Sequence, residues 1–573
     1  MKKIKLNILF ALSVLSFASC DDFLDRAPGV NLDETKVFTI FTNAEKYHND
    51  LYSHLSQGFN SVGSYEPVPL ACASDEADAY AGYHGTQSFT FGVYDGVDAN
   101  ISHYYTGIRK INNFFTKVNI IPFPSEERRR LMLGEAYFLR AFYFNEVVKR
   151  FGGMPIMTEN DMLKPGDDLK RPRNSYKECI EYILNDIESA IENLPVSLNE
   201  NEYGRATKGA AMALKSRVLL YAASPLWQKE MGKDLWKDAA DAASELLDLK
   251  DEQGSPVYEL YGSSAEDYAK TMLTRREGGN KEIIFYKHES PIPFTNDQIK
   301  VWAPKGGNLK GAGAVCPTQN FIELFEMSDG KFQPDGRIFD DNTYSYINND
   351  KFKSSLYNPQ RPYENRDPRF YKIILYHGAK WQGETLQLNF DQEKDKSGIH
   401  RQNKSEYTRT GYYVRKYLPE DVKPNTTTTS YHNWIYFRLA EVYLNYAEAL
   451  NESLSSPSQE VYQAVNTVRN RSGVVDLPTG LSKEEMRERI WNERAIELCF
   501  EEQRWFDARR WRKAVDWFGG QMYEMEITNN QNGTLTFEKK SFYSRVYRSY
   551  MDLYPIPLSE IRKNPLYNQN PGW

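Results

Sequence analysis

Cysteine is scarce in this chain, which has 5 in 573 residues, and no two of them form a CxxC pair. Small disulfide-stapled domains and zinc fingers both need cysteines at short spacings, so neither class fits this sequence. After the N-terminal region only Cys72, Cys179, Cys316 and Cys499 remain, and they are far apart. We therefore expect them to be buried free thiols.

Several catalytic and spanning patterns are also missing. The 8 histidines form no HExxH, no GxSxG occurs, and no run after residue 20 approaches the roughly 20 apolar residues of a transmembrane helix. The segment GAKWQGET at 378–385 has the glycine spacing of a P-loop, but Glu384 stands where the lysine belongs. The 71 basic and 78 acidic residues are well mixed, so no basic face for nucleic acid is expected.

The N-terminus has the layout of a secretory signal. Three lysines precede an apolar run that is too short to span a membrane, and Ala18 and Ser19 stand directly before Cys20. This junction favours a lipoprotein, in which residues 1–19 are removed and Cys20 carries the lipid, over an ordinary cleaved signal. Several acyl chains anchor a protein far more firmly than one. The mature chain would then be residues 20–573.

Helical periodicity dominates two blocks of the chain, about 36–270 and 433–515. Apolar residues recur at steps of three and four in segments such as LWKDAADAASELLDL and RLAEVYLNYAEALNE. We predict a mainly α fold in which tetratricopeptide-like helix hairpins form a scaffold. The segment at about 275–430 is rich in Gly, Pro, Asn and Tyr and is predicted to be irregular, with short strands such as EIIFY, FYKIILY and GYYVRKYL. A C-terminal tail follows at 516–573.

The densest charged stretch is ERAIELCFEEQRWFDARRW. Its glutamates step by four and Arg504, Asp507 and Arg510 step by three, which would place opposite charges on neighbouring turns of one helix. A catalytic carboxylate cluster is one interpretation. Interleaved arginines would hold the carboxylates ionised, so a structural set of ion pairs is favoured.

Motifs spread over the whole chain resemble one family. They include CDDFLD at 20–25, EAYFLRAFYFNEVVKRFGGMPIM at 135–157, GRATKGAAMALKSRVLLY at 204–221, NRDPRF at 365–370 and the closing YPIPLSEIRKNPLYNQNPGW. Together, and in this order, they are similar to SusD/RagB-type outer-membrane lipoproteins of Gram-negative bacteria that use glycans.

This resemblance implies a surface-exposed, lipid-anchored outer-membrane protein with four helix hairpins. Such a protein would cover a SusC-like TonB-dependent transporter and deliver oligosaccharide to it, without catalysis and without a cofactor. The helical face would meet the transporter, and aromatic and polar groups on the irregular side would hold the ligand. A peptide ligand, as in RagB-like relatives, or a surface glycoside hydrolase remains as an alternative.

The resemblance also suggests where ligand contacts lie. The aromatic share is 14%, and tyrosines in polar, Gly-rich loops suit stacking on the apolar face of a sugar ring. Two loop regions fit by position, and they offer Asp75, Tyr80, Tyr83, Tyr104 and Trp302. Relatives often carry a tryptophan where this chain has Ile101, so the stacking surface is expected to be weaker or rearranged.

Overall fold

The computed structural model describes residues 34–63, 67–79, 85–96, 101–161, 168, 170–198, 202–274, 279–288, 292–293, 298–304, 311–333, 352–391, 408–420, 429–430 and 432–573. These residues are mainly helical, as predicted. In this part of the chain no helix is both long and apolar enough to cross a membrane. The four later cysteines are buried and free, which confirms that expectation.

Several helices of the N-terminal block begin at polar capping residues. Ser125 accepts a hydrogen bond from the backbone N–H of Arg128, and Ser175 and Glu178 form a capping box, so free N–H groups are satisfied at each start. In chain order the helices are α1 Glu34–Thr39, α2 Phe41–Asp50, α3 Gln87–Thr90, α4 Ile101–Lys117, α5 Glu126–Phe151, α6 Tyr176–Asn193, α7 Lys208–Ala223, α8 Gln228–Met231, α9 Trp236–Leu247 and α10 Ala265–Met272.

Short elements fill the predicted irregular segment, including α11 Gln319–Ile322 and α12 Phe370–Ile373. The predicted run EIIFY is confirmed as a strand, Ile283–Lys287, which pairs antiparallel with Trp434–Arg438. The other two predicted runs contribute the short strands Ile374–Leu375 and Tyr413–Val414, which pair with each other. The strands from the start of the chain to this point are β1 Ala77–Ala79, β2 Ile283–Lys287, β3 Ile292–Pro293, β4 Val315–Pro317, β5 Ile374–Leu375, β6 Lys380–Trp381, β7 Glu384–Thr385, β8 Phe390–Asp391, β9 Tyr413–Val414, β10 Thr429–Ser430 and β11 Trp434–Arg438.

The second helical block follows β11. Gly473 adopts φ 76° just after the helix Gln459–Arg471, a left-handed conformation that glycine commonly supplies at the C-terminal end of a helix. The helices are α13 Leu439–Ser453, α14 Gln459–Arg471, α15 Lys483–Glu497, α16 Gln503–Arg510, α17 Ala514–Phe518 and α18 Leu558–Lys563.

Successive helices stack on one another to build the scaffold. Contacts run from α4 to α5, α6, α7 and α9 in turn, and α9 then packs against α13. Residues 248–438 lie between these last two helices in sequence, so the irregular segment is an insertion within a helix pair. The main hydrophobic core extends from Phe38 to Ile556 and includes residues of both helical blocks.

The C-terminal tail contains the longest strands in the described part of the chain. Strand β12, Gly520–Asn529, and strand β13, Leu535–Arg545, form an antiparallel hairpin, and β8 pairs parallel with β12. The turn carries Gly533 at φ 78°, a conformation that glycine adopts without strain. This hairpin is not among the predicted elements, which include only a tail in this region.

The charged stretch is not one helix, which corrects the prediction. Helix α15 ends at Glu497, and α16 begins at Gln503 after a turn in which Phe500 and Glu502 have φ values of 60° and 61°. Non-glycine residues adopt this left-handed conformation only at a cost, so tertiary contacts must hold the turn. The backbone N–H of Phe500 donates to the buried carboxylate of Glu76 at 2.7 Å.

The predicted structural ion pairs are confirmed, but they join different elements. Within the described residues one connected, buried network links six cations to six carboxylates, and we call it the arginine–glutamate network. Its cations are Arg369, Lys416, Arg438, Arg469, Arg471 and Arg489, and its carboxylates are Glu282, Glu326, Asp367, Glu493, Glu497 and Glu501. Arginine–carboxylate contacts of this kind hold the irregular insertion to helices α14 and α15.

Candidate functional site

A cavity of about 370 Å³ lies between helices α4, α5 and α7, strand β11 and the turn before α16. Its volume is within the roughly 300 to 1,000 Å³ that ligand pockets commonly have. Many of its lining residues are aromatic, namely Phe89, Tyr94, Tyr104, Phe142, Tyr221, Trp434, Tyr436, Phe506 and Tyr554. Its charged lining residues are Glu146, Lys149, Arg150, Arg217, Lys287, Glu501 and Glu502.

The cavity has an opening and a floor. Ser53 is exposed, and Gln57, Ser61 and Lys287 are partly exposed, so these lining side chains mark the opening. The buried lining side chains of α5 and α7 form the floor. A ligand entering here would meet polar groups first and a mixed aromatic and charged surface below them.

Tyr104 is the predicted site residue that the structure places in the cavity. Its ring is buried, and its hydroxyl donates to Ser56 Oγ at 3.2 Å. Burial raises the pKa of Tyr104, so this hydroxyl keeps its proton. Tyr436 donates its hydroxyl to the backbone carbonyl of the same serine. The two tyrosines thereby fix the wall that leads from the opening to the floor.

Four charged residues on α5 and α7 make up what we call the floor cluster: Glu146, Lys149, Arg150 and Arg217. Glu146 Oε1 lies 2.5 Å from Lys149 Nζ, and Glu146 Oε2 lies 2.6 Å from Arg150 Nη1. Although burial opposes ionisation, these two cations lower the pKa of Glu146 to about 2. The carboxylate therefore stays ionised and shared between two positive charges.

Arg217 belongs to the same floor cluster, but its ion-pair partner is Glu441, which does not line the cavity. Its guanidinium donates to both oxygens of Glu441, from Nε at 2.7 Å and from Nη2 at 2.6 Å. The guanidinium carbon also lies 4.1 Å from the centroid of the Phe437 ring. This bidentate pair ties α7 to the start of α13 and holds the floor in place.

The turn before α16 supplies the opposite wall. Glu501 reaches both the cavity and the arginine–glutamate network, where Arg438 and Lys416 bind its carboxylate. Burial opposes ionisation, but these cations lower the pKa of Glu501. Glu502 accepts a hydrogen bond from Ser61 at 2.5 Å. The wall of the cavity is thus continuous with the main set of buried ion pairs.

Two other predicted contacts are buried, which corrects their expected exposure in loops. Both oxygens of Asp75 bind Arg504, at 2.9 Å from Nε and 2.7 Å from Nη2, and the aspartate is fully buried. Trp302 is 0% exposed and donates its indole N–H to the carbonyl of Phe59 at 3.0 Å. Neither side chain offers a surface to a ligand in this structure.

The other predicted site residues, Cys20, Tyr80 and Tyr83, lie outside the described residues. The floor cluster is not among the predicted site residues, although the sequence does carry a signal for it. Glu146, Lys149 and Arg150 stand on a helix whose neighbouring positions are apolar, and buried ionisable residues in such a setting mark candidate sites. Among the described residues no group of three or more His, Cys, Asp and Glu side chains could hold a metal ion.

Comparison with known proteins identifies the family. The model of the SusD family matches residues 281–573, which is just over half of the chain. The chain belongs to the SusD family. A second model, described as "Starch-binding associating with outer membrane", matches residues 22–220 of this SusD family member.

Individual relatives match over almost the full length of this SusD family protein. The SusD-like protein P38 of Formosa agariphila is 24% identical, with 90% of this chain and 93% of the relative covered. A SusD-like protein of Bacteroides fragilis is 29% identical, with a TM-score of 0.75 and 94% and 98% of the two chains covered. A SusD-like carbohydrate-binding protein of the same species has 23% identity, a TM-score of 0.70 and 92% and 99% coverage, and this likeness confirms the fold.

Proposed function

We propose that this protein is a cell-surface lipoprotein that captures an oligosaccharide and delivers it to a SusC-like TonB-dependent outer-membrane transporter. The observation that carries the proposal is the aromatic and polar cavity in a chain of the SusD family. A solved structure of similar fold is described as carbohydrate binding, and one matching family model as starch binding, which supports a glycan ligand.

The chemistry of the cavity suits a sugar. A pyranose ring has apolar C–H faces that pack on aromatic planes and hydroxyls that need donors and acceptors. Phe506 and Tyr104 line the cavity as aromatic surfaces, and Gln503 lines it with a side-chain amide that makes no hydrogen bond to the described residues. That amide is available to a ligand hydroxyl. Tyr80 and Tyr83, which follow β1 in the sequence, remain proposed contacts.

Two of the three carboxylates that line the cavity favour binding over hydrolysis. A glycosidase needs one carboxyl group that stays protonated near neutral pH and a second that is ionised. Cations instead hold the pKa of Glu146 and the pKa of Glu501 below the ordinary value for glutamate. Both line the cavity as fixed anions, which suits hydrogen bonding to sugar hydroxyls.

Glycan binding can be measured with the soluble protein from residue 21 onwards. A glycan array should identify an oligosaccharide, and calorimetric titration should then show that Gln503→Leu weakens its binding by about 2- to 10-fold, the value of one lost hydrogen bond. The melting temperature should stay close to that of the wild type, since the amide has no partner among the described residues to lose.

The matched control is Gln463→Leu, an exposed glutamine on α14 that does not line the cavity. It should bind like the wild type. A protein that binds no glycan but copurifies with peptides would support the peptide-capturing alternative instead. Release of shortened products from the identified glycan would support a hydrolase.

Lipid anchoring follows from the N-terminal junction, so we propose residues 1–19 as the signal peptide and Cys20 as the lipidated residue. The Cys20→Ala variant has no sulfur to acylate and should be recovered in the soluble fraction, whereas the wild type should take up labelled palmitate and sediment with outer membranes. The control Cys179→Ala removes a buried thiol and should leave fractionation unchanged. Membrane association of the Cys20→Ala protein together with an unlabelled wild type would refute the anchor.

A further inference from the structure

The floor cluster carries more positive than negative charge. Lys149, Arg150 and Arg217 are its cations, and the carboxylates that pair with them among the described residues are Glu146 and Glu441. Burial, together with the neighbouring Arg150 and Arg217, lowers the pKa of Lys149 to about 8, although Glu146 opposes this shift. A cation in this state gains from an additional nearby anion.

Arg150 is the member of the cluster with unused hydrogen-bond donors. Its Nη1 atom serves both the carboxylate and the backbone carbonyl of Glu146, at 2.6 and 2.9 Å. Its Nε and Nη2 atoms donate to no atom of the described residues, although the residue is only 9% exposed and lines the cavity. A guanidinium with two such nitrogen atoms, on a residue that lines a cavity, can match the two oxygens of a planar or tetrahedral oxyanion.

The rest of the cavity limits what such an anion can be attached to. Phe506 packs below the cations, with its ring centroid 4.2 Å from Lys149 Nζ and 5.2 Å from the Arg150 guanidinium carbon. Across the cavity Glu502 is near enough to help raise the pKa of Arg150, which burial alone would lower. A simple anion would meet this carboxylate unfavourably, whereas the hydroxyls of a sugar would donate to it.

We infer that the floor cluster recognises an acidic group, a carboxylate or a sulfate ester, on the captured oligosaccharide, with Arg150 as the residue that contacts it. The inference rests on the proposed function, because it specifies the class of glycan for the same cavity. The acidic group lies against Arg150 and Lys149, and hydroxyls of the same ring face Glu502 and Gln503. Acidic oligosaccharides are therefore preferred over neutral ones of the same backbone.

The test compares matched glycans in calorimetric titrations. Oligogalacturonides and their methyl esters share a backbone and differ in whether the carboxyl group is charged. A sulfated galactan fragment and its desulfated form also share a backbone, and they differ in whether the charged sulfate ester is present. The wild type should bind one acidic member about 10- to 100-fold more tightly than its neutral counterpart, which is the usual range for a charge-assisted hydrogen bond. The series that shows the preference distinguishes a carboxylate from a sulfate ester.

Two variants assign the preference to Arg150. Arg150→Met should abolish this preference, because it should weaken binding of the acidic member at least about 10-fold more than binding of the neutral member. If that variant does not fold, Arg150→Lys keeps the charge and the contact with Glu146 but loses the planar edge, and it should reduce the preference at least several-fold. The control Arg361→Met removes an exposed arginine and should keep the full preference.

The outcomes separate the two hypotheses. Equal affinity for acidic and neutral members, or an unchanged preference in the folded Arg150 variants, overturns the inference while oligosaccharide capture stands. Absence of binding to any glycan on the array refutes the proposed function itself.

Discussion

Replacement of Arg438 by Met is expected to destabilise the protein by about 3 to 5 kcal/mol, the usual effect of removing one partner from a buried ion pair. Arg438 is 1% exposed, and its guanidinium contacts three carboxylates, those of Glu282, Glu497 and Glu501. Methionine fills much of the volume but leaves those carboxylates without their shared cation. Denaturant-induced unfolding followed by circular dichroism measures the loss.

Arg361→Met is the matched control, because Arg361 forms an exposed pair with Glu364 at 3.3 Å. Its loss should change the free energy of unfolding by less than about 1 kcal/mol. The difference in free energy of unfolding between Arg438→Met and the wild type should also decrease as the pH falls. Burial opposes ionisation of Glu497, but three arginines lower its pKa in the folded state below the ordinary value of 4.5. The stability that ionised Glu497 contributes is therefore fully present above about pH 4.5, and it is lost as the pH falls through the folded-state pKa. Equal stability of the two variants at neutral pH would contradict the role of the network.

Trp302→Ala is expected to cost about 3 to 5 kcal/mol of folding stability, as large-to-small changes of buried aromatic residues usually do. The indole is fully buried, packs edge-on against Phe59 and Tyr417, and leaves the carbonyl of Phe59 without its donor when removed. A lowered melting temperature without ligand, measured by calorimetry, checks the expectation. Any weakening of glycan binding should accompany that loss.

A partly exposed tryptophan provides the comparison for Trp302. Trp573 at the C-terminus also donates its indole N–H to a backbone carbonyl, that of Leu553 at 2.9 Å. Trp573→Ala should therefore lose one hydrogen bond and less buried area, and it should lower the melting temperature less. If Trp302→Ala kept wild-type stability but lost ligand affinity, the sequence-based expectation of a ligand-stacking ring would be restored.

Local signals were sufficient to predict the helices. Apolar periodicity predicts α9 and α13 correctly, because this signal lies within the segment that folds. The break between α15 and α16 could not be predicted in this way. The left-handed Phe500 is held by the carboxylate of Glu76 and by packing against Trp302 and Phe321, contacts with residues distant in sequence. The hairpin β12–β13 did have local signals, in its alternating pattern and NQNG turn, and was missed.

The candidate site was predictable only in part, for a related reason. Tyr104 followed from its place beside an expected ligand-binding loop, and it does line the cavity. Arg150 and Gln503 both line the cavity only because α5 and α16 lie close together in the fold. The burial of Asp75 and Trp302 was equally non-local, since Arg504 and Phe59, their partners, are far away in sequence. Residue type and spacing alone do not predict such contacts between residues distant in sequence.

The arginine–glutamate network also bears on how the protein folds and persists. Several of its contacts join residues far apart in sequence, such as Arg369 with Glu493 at 124 positions, Arg438 with Glu282 at 156, and Arg471 with Glu282 at 189. Closing loops of that length is slow, and contacts of high sequence separation tend to form late in folding. Interactions that form after the rate-limiting barrier slow unfolding more than they speed folding. We therefore expect a slowly unfolding molecule whose resistance to proteases at the proposed cell surface is kinetic in origin.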